Sequence, residues 1–355
     1  MRVGVLFTSN QAKGGVYQYS MSVINSLIQN NQISELTVYT NKKNFIYQDI
    51  KISYVSNYMI LLSLFFGILN FFPKILFKNS DLIIAPSYSP LLFMCSPKFV
   101  FTLHDLQELY YPNFLRKEVK FWRNFMYKRL TKLAYRIITE SNHVKKDIIK
   151  MYKNTEDKVH VIESPPYFKI EEIKKSPFHF SYIFFPAQFW KHKNHIRVIM
   201  AFKKIKKFDK EIKLVLTGSK SREFKKIKNK VLNLNLENDV IFRGPIHQTE
   251  MSTYFSNAKL IIVPTLYESI SIPVFEAFKY QVPVCSSGIY AIKDQVGNAG
   301  IFFNPENISS IYTAIKKGLT DKNLRIKCIE NGKRRLDFFS QSRFNNLLNK
   351  ALNEN

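Results

Sequence analysis

Two carboxylates, Glu268 and Glu276, stand in one stretch that reads as strand, loop, helix and strand. On one continuous helix their spacing would put them about 80° apart and about 12 Å along the axis. The spacing fits better if Glu268 lies in the loop and Glu276 on the helix, because both can then face a ligand at the helix N-terminus. That end suits a diphosphate, and carboxylates suit sugar or ribose hydroxyls. A solvated loop Glu and a helix-surface Glu are the alternative.

The elements around this stretch form a βαβ unit. The apolar run Leu260 to Val263 reads as a buried strand, Pro273 suits a first helical turn, and Val282 to Ser286 read as the next strand. Strands and amphipathic helices alternate in the same way along the rest of the chain. The pattern predicts an α/β protein of two doubly wound halves with a cleft between them.

A proline-bearing linker of mixed charge, residues 163–178, separates the two halves. We therefore predict an N-terminal domain over residues 1–168 and a C-terminal domain over residues 178–335. Residues 336–355 are predicted to hold a last amphipathic helix, for which packing back on the N-terminal domain is one possibility.

The composition points to an anionic partner. The 355 residues include 53 Lys and Arg against 27 Asp and Glu, a formal charge of +26. The basic residues are spread widely, which favours solvated helix faces over a single nucleic-acid groove. The three cysteines are far apart, so neither a disulfide scaffold nor a zinc site is indicated and a reducing compartment fits. The first residues read as a strand and not as a signal peptide.

An uncharged stretch of 15 residues, Tyr58 to Phe72, complicates this picture. It is short for a bilayer span, which takes about 20 residues. Lys74 and Lys78 follow it, so a basic-flanked apolar helix could enter one membrane face without crossing it. A buried helix with an aromatic side is the alternative.

Other candidates lie in the first half. Gly14 and Gly15 stand between the first strand and its helix, where a glycine pair allows close approach of backbone to ligand, although a plain tight turn is the alternative. They do not complete GxGxxG, so a dinucleotide oxidoreductase is poorly supported. His104 ends a strand, where open α/β sheets bind ligands, and is a candidate base or sugar-binding group. A structural histidine is the alternative.

Taken in order, these segments resemble a known family. PTLYESISIPVFEAFKYQVPV resembles the E-x7-E signature of retaining nucleotide-sugar glycosyltransferases of the GT-B fold, the family 4 group. GGVYQY, TLHDLQELYYP, FFPAQFWKHKNH and DQVGNAGIFFNP resemble its other landmarks. The resemblance runs from about residue 1 to residue 335 and rests on the ordered set of motifs. It implies two Rossmann-like domains facing across a cleft.

The resemblance also implies roles for single residues. Glu276 would bind the ribose of the nucleotide, Glu268 the transferred sugar, and Lys193 the diphosphate. The amides that would line sugar and diphosphate are those of Ile270, Ser271 and Ile272.

Four more residues receive roles from the family. Gly14 and Gly15 would let the first domain's backbone close over the donor. His104 would bind the donor sugar near the reacting carbon, so that His104 and Glu268 are the expected catalytic residues. Ile246 would lie near the base.

The chain departs from the family at two places. Ser269 and Ser271 stand where the family has glycines, which adds bulk to the donor loop. Gln188 stands where an arginine is usual and supplies no charge to a phosphate. These changes bear on the identity of the donor more than on the type of reaction.

The function expected from the resemblance is retaining transfer of a hexose from a nucleoside-diphosphate sugar to a glycan or lipid-linked acceptor, in surface polysaccharide or lipopolysaccharide synthesis. No cofactor and no metal are expected, since no Asp-x-Asp motif is evident. We expect a cytoplasmic location, with an anionic membrane surface as a possible peripheral partner. A nucleotide-sugar epimerase or hydrolase of the same fold is the closest alternative. A nucleic-acid-binding protein is a distant one, since no recognition module is visible and no nucleic acid is expected as partner.

Overall fold

The computed structural model describes residues 1–8, 15–43, 45, 47, 50–166 and 174–353. It divides into two compact units, one formed by Met1–Tyr167 with Phe339–Asn355 and the other by Phe168–Phe338. Each unit holds one sheet whose strand pairs are all parallel, flanked by helices. The predicted class, α/β with two Rossmann-like domains, is confirmed.

The first unit contains a seven-stranded sheet in the order β3-β2-β1-β4-β5-β6-β7. Its strands are β1 (Arg2–Phe7), β2 (Glu35–Thr40), β3 (Lys51–Tyr54), β4 (Leu82–Ala85), β5 (Lys98–Thr102), β6 (Arg136–Thr139) and β7 (Val159–Val161). The helices between them are α1 (Gly15–Ile28), α2 (Asn57–Ile68), α3 (Gln107–Tyr110), α4 (Lys117–Leu133) and α5 (Asn142–Met151).

Both faces of the first sheet are covered, as continuous apolar strands predict. Along β1, Val3 and Val5 enter a core shared with α1, whereas Leu6 enters a core on the opposite face with α4 and α5. This follows from the alternation of side chains along a strand. No helix in the described ranges is both long enough and apolar enough to cross a membrane.

The second unit contains a six-stranded sheet in the order β10-β9-β8-β11-β12-β13. Its strands are β8 (Tyr182–Pro186), β9 (Lys213–Thr217), β10 (Val240–Gly244), β11 (Leu260–Val263), β12 (Val284–Ser287) and β13 (Gly300–Phe303). Its helices are α6 (His195–Phe208), α7 (Phe224–Asn233), α8 (Gln248–Ser256), α9 (Ile272–Lys279), α10 (Tyr290–Val296), α11 (Ile308–Thr320) and α12 (Lys322–Phe338). The strand order reverses between β8 and β11.

The last helix, α13 (Gln341–Asn353), belongs to the first unit. Its buried residues Phe344, Leu348 and Ala351 enter the same core as the apolar side of α1. The Asn30 side chain donates a hydrogen bond to Asn349 Oδ1 at 2.7 Å. The first unit is therefore assembled from two segments of the chain, one that precedes the second unit in sequence and one that follows it.

Candidate functional site

The candidate site is built where β8 and β11 lie side by side in the second unit. Loops that leave the carboxyl ends of strands at such a reversal border the crevice in which open parallel sheets bind ligands. Here the loop after β8 spans residues 187–194, and the loop after β11 spans residues 264–271 and leads into α9. These two loops carry Lys193 and Glu268.

Lys193 and Glu268 form an ion pair between the two loops. The Lys193 ammonium donates to Glu268 Oε1 at 2.5 Å, and the two side chains are 14% and 18% exposed. Glu268 Oε2 is buried and finds no hydrogen-bond partner in the part of the chain that is described. A buried acceptor without a partner is costly, so this site has hydrogen-bonding capacity that the protein itself does not use.

Asn194 fixes the geometry of both loops. Its backbone is left-handed, with φ of 63°, a conformation that asparagine tolerates better than most residues. Its side-chain NH2 donates to the carbonyl of Pro264 at 3.1 Å and to that of Pro305 at 2.8 Å. The Leu266 N–H donates to the His192 carbonyl at 2.7 Å. The placement of Lys193 beside Glu268 therefore depends on backbone contacts that no single motif contains.

Gln188 is held by the loop that follows β9. Its side-chain Oε1 accepts from the Ser219 N–H at 2.8 Å. Gly218, the residue before Ser219, has φ of 128°, and a Cβ there would lie 2.6 Å from the Ala187 carbonyl oxygen. Glycine is therefore required at this position. The oxygen of the Gln188 amide is thus used internally, and its NH2 is the half suited to an anion.

The N-terminus of α9 differs from the expected row of three amides. Ser271 is the N-cap residue, but its N–H donates to Gln295 Oε1 at 2.8 Å. Pro273 follows in the first turn and has no N–H. The expectation that the Ser271 amide lines a ligand is therefore corrected, and the amides of Ile270 and Ile272 are the ones that remain for an anion.

The remaining donor candidates lie in the same unit. Glu276 lies on α9 and is half-buried, and Ile246 is half-buried in the loop between β10 and α8. The structure thus brings Lys193 and Glu268 into contact and places Glu276 on the adjoining helix.

His195, the first residue of α6, was not expected from the sequence as part of this site. It is 2% exposed and lies between the rings of Phe185 and Phe189, with centroids 4.3 and 5.0 Å away. Burial, together with the charges of Lys193 and His192, lowers the pKa of its imidazole to about 3. In the sequence, the only indication of this burial is the presence of aromatic residues nearby at strand and loop positions. That indication does not distinguish a buried histidine from an exposed one.

In the first unit, His104 lies at the carboxyl ends of three neighbouring strands. Its Nδ1 is 2.7 Å from Glu140 Oε2, just after β6, and its Nε2 is 2.8 Å from the carbonyl oxygen of Pro86, just after β4. Both partners are acceptors, which favours an imidazolium that donates from both nitrogens. Burial lowers the pKa of His104, but the Glu140 carboxylate, the Pro86 carbonyl and Asp105 together outweigh burial and raise it.

The other first-unit candidates give less. Gly14 lies outside the described residues. Gly15 begins α1 and is exposed. Glu140 was not singled out in the sequence, because nothing in its neighbourhood distinguishes it from a strand-end glutamate.

Two family models match the chain. The model described as "Glycosyl transferases group 1" matches residues 167–335. The model described as "Glycosyltransferase Family 4" matches residues 21–165. The two matches lie almost end to end and fall on the second and first units.

Curated relatives match part of the chain. The O-antigen chain mannosyltransferase RfbU of Salmonella typhimurium is 28% identical over 216 residues, which cover 61% of this chain and 59% of the relative. The uncharacterized glycosyltransferase MJ1607 of Methanocaldococcus jannaschii is 24% identical over 233 residues, with 61% and 58% covered. The chain therefore matches about three fifths of the length of these relatives.

Solved structures resemble the whole chain in fold. Anabaena Alr3699/HepE in complex with UDP and glucose superposes with a TM-score of 0.77 at 16% identity, covering 99% of each chain. Sucrose-phosphate synthase from Thermosynechococcus elongatus superposes with a TM-score of 0.75 at 15% identity, covering 99% of this chain and 98% of that one. At these identities the likeness shows the GT-B fold alone.

Proposed function

The chain belongs to the group 1 glycosyltransferases, and from this membership we propose that it transfers a hexosyl group from a nucleoside-diphosphate sugar to a glycan or lipid-linked acceptor. The observation that carries the proposal is the Lys193–Glu268 pair at the strand-order reversal of the second sheet. One loop supplies a cation for a diphosphate, and the next supplies a carboxylate for sugar hydroxyls beside a helix N-terminus.

The proposed reaction breaks the bond between the anomeric carbon and the diphosphate oxygen and forms one to an acceptor oxygen. The acceptor hydroxyl loses its proton to the leaving diphosphate, and the configuration is retained. Lys193 and the amides of Ile270 and Ile272 would stabilise the charge on the diphosphate without a metal. Glu268 would accept hydrogen bonds from the transferred sugar, and Glu276 from the ribose. Gln188 would donate to a phosphate through its NH2, and Ile246 would contact the base.

We assign His104 to the transferred sugar as well. The side chain is 17% exposed, and Nε2 can exchange the Pro86 carbonyl for a sugar hydroxyl while Nδ1 stays with Glu140. In this role His104 acts as a cationic hydrogen-bond donor and not as a base, because both of its nitrogens carry protons when both partners are acceptors.

The acceptor and the pathway are proposed from the relatives. RfbU and a relative from Escherichia coli carry the name O-antigen chain mannosyltransferase. We propose that the product is a bacterial surface polysaccharide or lipopolysaccharide, with a nucleoside-diphosphate mannose as the first donor to test. The Anabaena HepE structure contains UDP-glucose, so UDP-glucose is the second.

The test is a panel of nucleotide sugars screened by thermal shift and then by product analysis with and without acceptor. A donor that binds only the folded state raises the apparent stability of the protein. Transfer that requires an acceptor supports the proposal, whereas release of free sugar or an altered sugar nucleotide would indicate a hydrolase or epimerase. Glu276→Ala should abolish transfer with the fold retained, and full activity in that variant would contradict the proposal.

We further propose that the first unit binds an anionic membrane surface through α2 and α4. Apolar side chains on the outer side of α2 are largely exposed, among them Leu61 at 65% and Phe65 at 54%. On α4, Phe121 is 63% exposed beside the exposed Trp122. Contiguous exposed apolar surface of this kind is typical of interaction sites.

The two helices pack on one buried aromatic cluster, and α4 carries the expected charge. Ring contacts link Phe72, which follows α2, to Phe93 at 5.7 Å, Phe93 to Phe125 at 6.3 Å, and Phe125 to Phe121 at 6.5 Å. The α4 sequence KEVKFWRNFMYKRLTKL holds six basic residues against one acidic residue. Arg123 among them pairs with Asp105 and Glu108. Exposed apolar side chains on the same helix as the other five basic residues suit an anionic lipid surface.

A further inference from the structure

Gln295 on α10 holds the loop that carries Glu268. Its side chain is 4% exposed. Its Oε1 accepts from the Ser271 N–H and its Nε2 donates to the Ser271 carbonyl, both at 2.8 Å. One side-chain amide thus satisfies both backbone groups of Ser271, the N-cap residue of α9. We call this pair of hydrogen bonds the Ser271 clamp.

The clamp takes the place of a side-chain N-cap hydrogen bond, which Ser271 does not make. Ser271 occupies the N-cap position, where a serine hydroxyl usually accepts from a backbone N–H of the first turn. Here the hydroxyl makes no capping bond, and its Oγ is buried without a partner in the described ranges. The conformation of the loop before α9 therefore depends on a side chain from the next helix along the chain.

Arg335 on α12 fixes the helix that carries Gln295. Its guanidinium donates to the carbonyl of Asp294 at 2.5 Å and to that of Gln295 at 3.1 Å. These are carbonyls of the last turn of α10, which lack partners within the helix. A continuous series of hydrogen bonds thus runs from α12 through Gln295 to Ser271.

We propose that Gln295 is a positioning residue for donor binding, a role that rests on the proposed function. The clamp withdraws the Ser271 N–H from the ligand and fixes the backbone on either side of it. The Ile270 and Ile272 amides are thereby held in the direction that a nucleoside diphosphate requires, and the Glu268 carboxylate is held beside Lys193. Without the clamp the loop can leave this conformation. The apparent affinity for the nucleotide is then the intrinsic affinity multiplied by the fraction of chains whose loop is in the binding-competent conformation.

The test compares Gln295→Met with the wild type in calorimetric titrations of UDP and GDP. Methionine keeps the length and apolar packing of the side chain but makes neither hydrogen bond. If about a tenth of the variant holds the competent loop conformation, both nucleotides bind about tenfold more weakly. In donor kinetics KM rises by the same factor while kcat changes less. Unchanged dissociation constants would overturn the positioning role.

Asn331→Leu is the matched control. Asn331 is also a buried side-chain amide in contact with the α10 region, since its Nδ2 donates to the Asn298 carbonyl at 2.9 Å. Its loss should lower the melting temperature without weakening nucleotide binding. An equal loss of affinity in Asn331→Leu would show that Gln295 acts only through stability and would also overturn the proposal.

Gln295→Glu gives a second signature. A neutral carboxyl can accept from the Ser271 N–H and donate to the Ser271 carbonyl, whereas a carboxylate can only accept. Affinity for UDP, measured relative to the wild type at each pH, should therefore recover as the pH is lowered from 8 to 5.5. A constant ratio would count against the clamp. A wild-type chain that binds none of UDP, GDP, ADP, CDP and dTDP would overturn the proposed function, and the positioning role with it.

Discussion

The Lys193 ammonium lies 2.5 Å from the Glu268 carboxylate, so in the donor-free chain each neutralises the other. Under the proposed function, a diphosphate that takes Lys193 as its counter-ion would compete with this carboxylate, which would then become available to the sugar hydroxyls. Binding of the phosphate half of the donor would thereby be linked to binding of its sugar half.

Lys193→Ala should lower kcat/KM for transfer by about a hundredfold or more, because a charge-assisted contact to the diphosphate is lost. It should also destabilise the chain by about 1–3 kcal/mol, because Glu268 is left largely buried without a partner. Steady-state kinetics and urea unfolding measure the two effects.

The double variant Lys193→Ala/Glu268→Gln separates these effects, since it should regain stability but not activity. Lys213→Ala is the control for loss of a paired lysine in the same unit. Lys213 pairs with Asp239, which keeps a second partner, Lys206, at 3.0 Å. Wild-type transfer in Lys193→Ala would contradict the assigned site.

Leu61→Glu/Phe65→Glu should abolish sedimentation with phosphatidylglycerol vesicles at low salt, because charged side chains would replace exposed apolar ones on α2. The wild type should bind, and less so at high salt, since the basic side chains of α4 contribute. Ile326→Glu is the control, because Ile326 is 56% exposed but lies on α12 of the second unit. No binding of the wild type at low salt would argue for an acceptor in solution.

The burial of His195 predicts that the chain becomes less stable to unfolding as the pH falls. Its pKa is about 3 in the folded chain and about 6.5 in an unfolded one. Because the folded pKa is the lower of the two, the unfolded state binds more protons between these values and stability falls as the pH falls. The free energy of unfolding should drop by about 2 kcal/mol between pH 7.5 and pH 5 from this residue alone.

Urea unfolding at several pH values checks the prediction. In His195→Leu this part of the pH dependence should disappear, whereas in His179→Leu, which removes an exposed histidine of the same unit, it should remain. An unchanged slope in His195→Leu would show that other groups cause the acid sensitivity.

Leu348→Ala should destabilise the first unit by about 2–5 kcal/mol, because a fully buried side chain of α13 would leave a cavity in the core shared with α1. Chemical unfolding followed by a first-unit probe measures the effect. Asn346→Ala, at an exposed position of the same helix, should change stability by about 0.5 kcal/mol or less. Equal effects of the two changes would contradict the packing of α13.

The sequence predicted most of the fold because apolar strands and amphipathic helices leave local patterns. Leu260 to Val263 and the helix opened by Pro273 lie where those patterns indicated. The Lys193–Glu268 contact was not visible, because 75 positions separate the two residues and Asn194 joins their loops through backbone carbonyls. Gln295 was not visible either, because a lone glutamine on a helix carries no motif.

The site prediction differed from the structure where hydrogen bonds inside the protein compete with those to a ligand. The Ser271 amide was assigned to the ligand from its place in a motif, yet a side chain from another helix has taken it. His104 was considered as a base from its residue type, yet both nitrogens face acceptors. Such partners come from elements distant in sequence and are fixed only by tertiary packing.

The place of α13 has a consequence for the order in which the two units fold during synthesis. Residues 168–338 leave the ribosome before Phe344, Leu348 and Ala351 do, so the segments of the second unit are free to pack before α13 is available to the first unit. The first unit starts to fold earlier, but the apolar side of α1 stays uncovered until α13 emerges. A chain truncated after Phe338 should therefore hold a folded second unit and a first unit that chaperones still recognise.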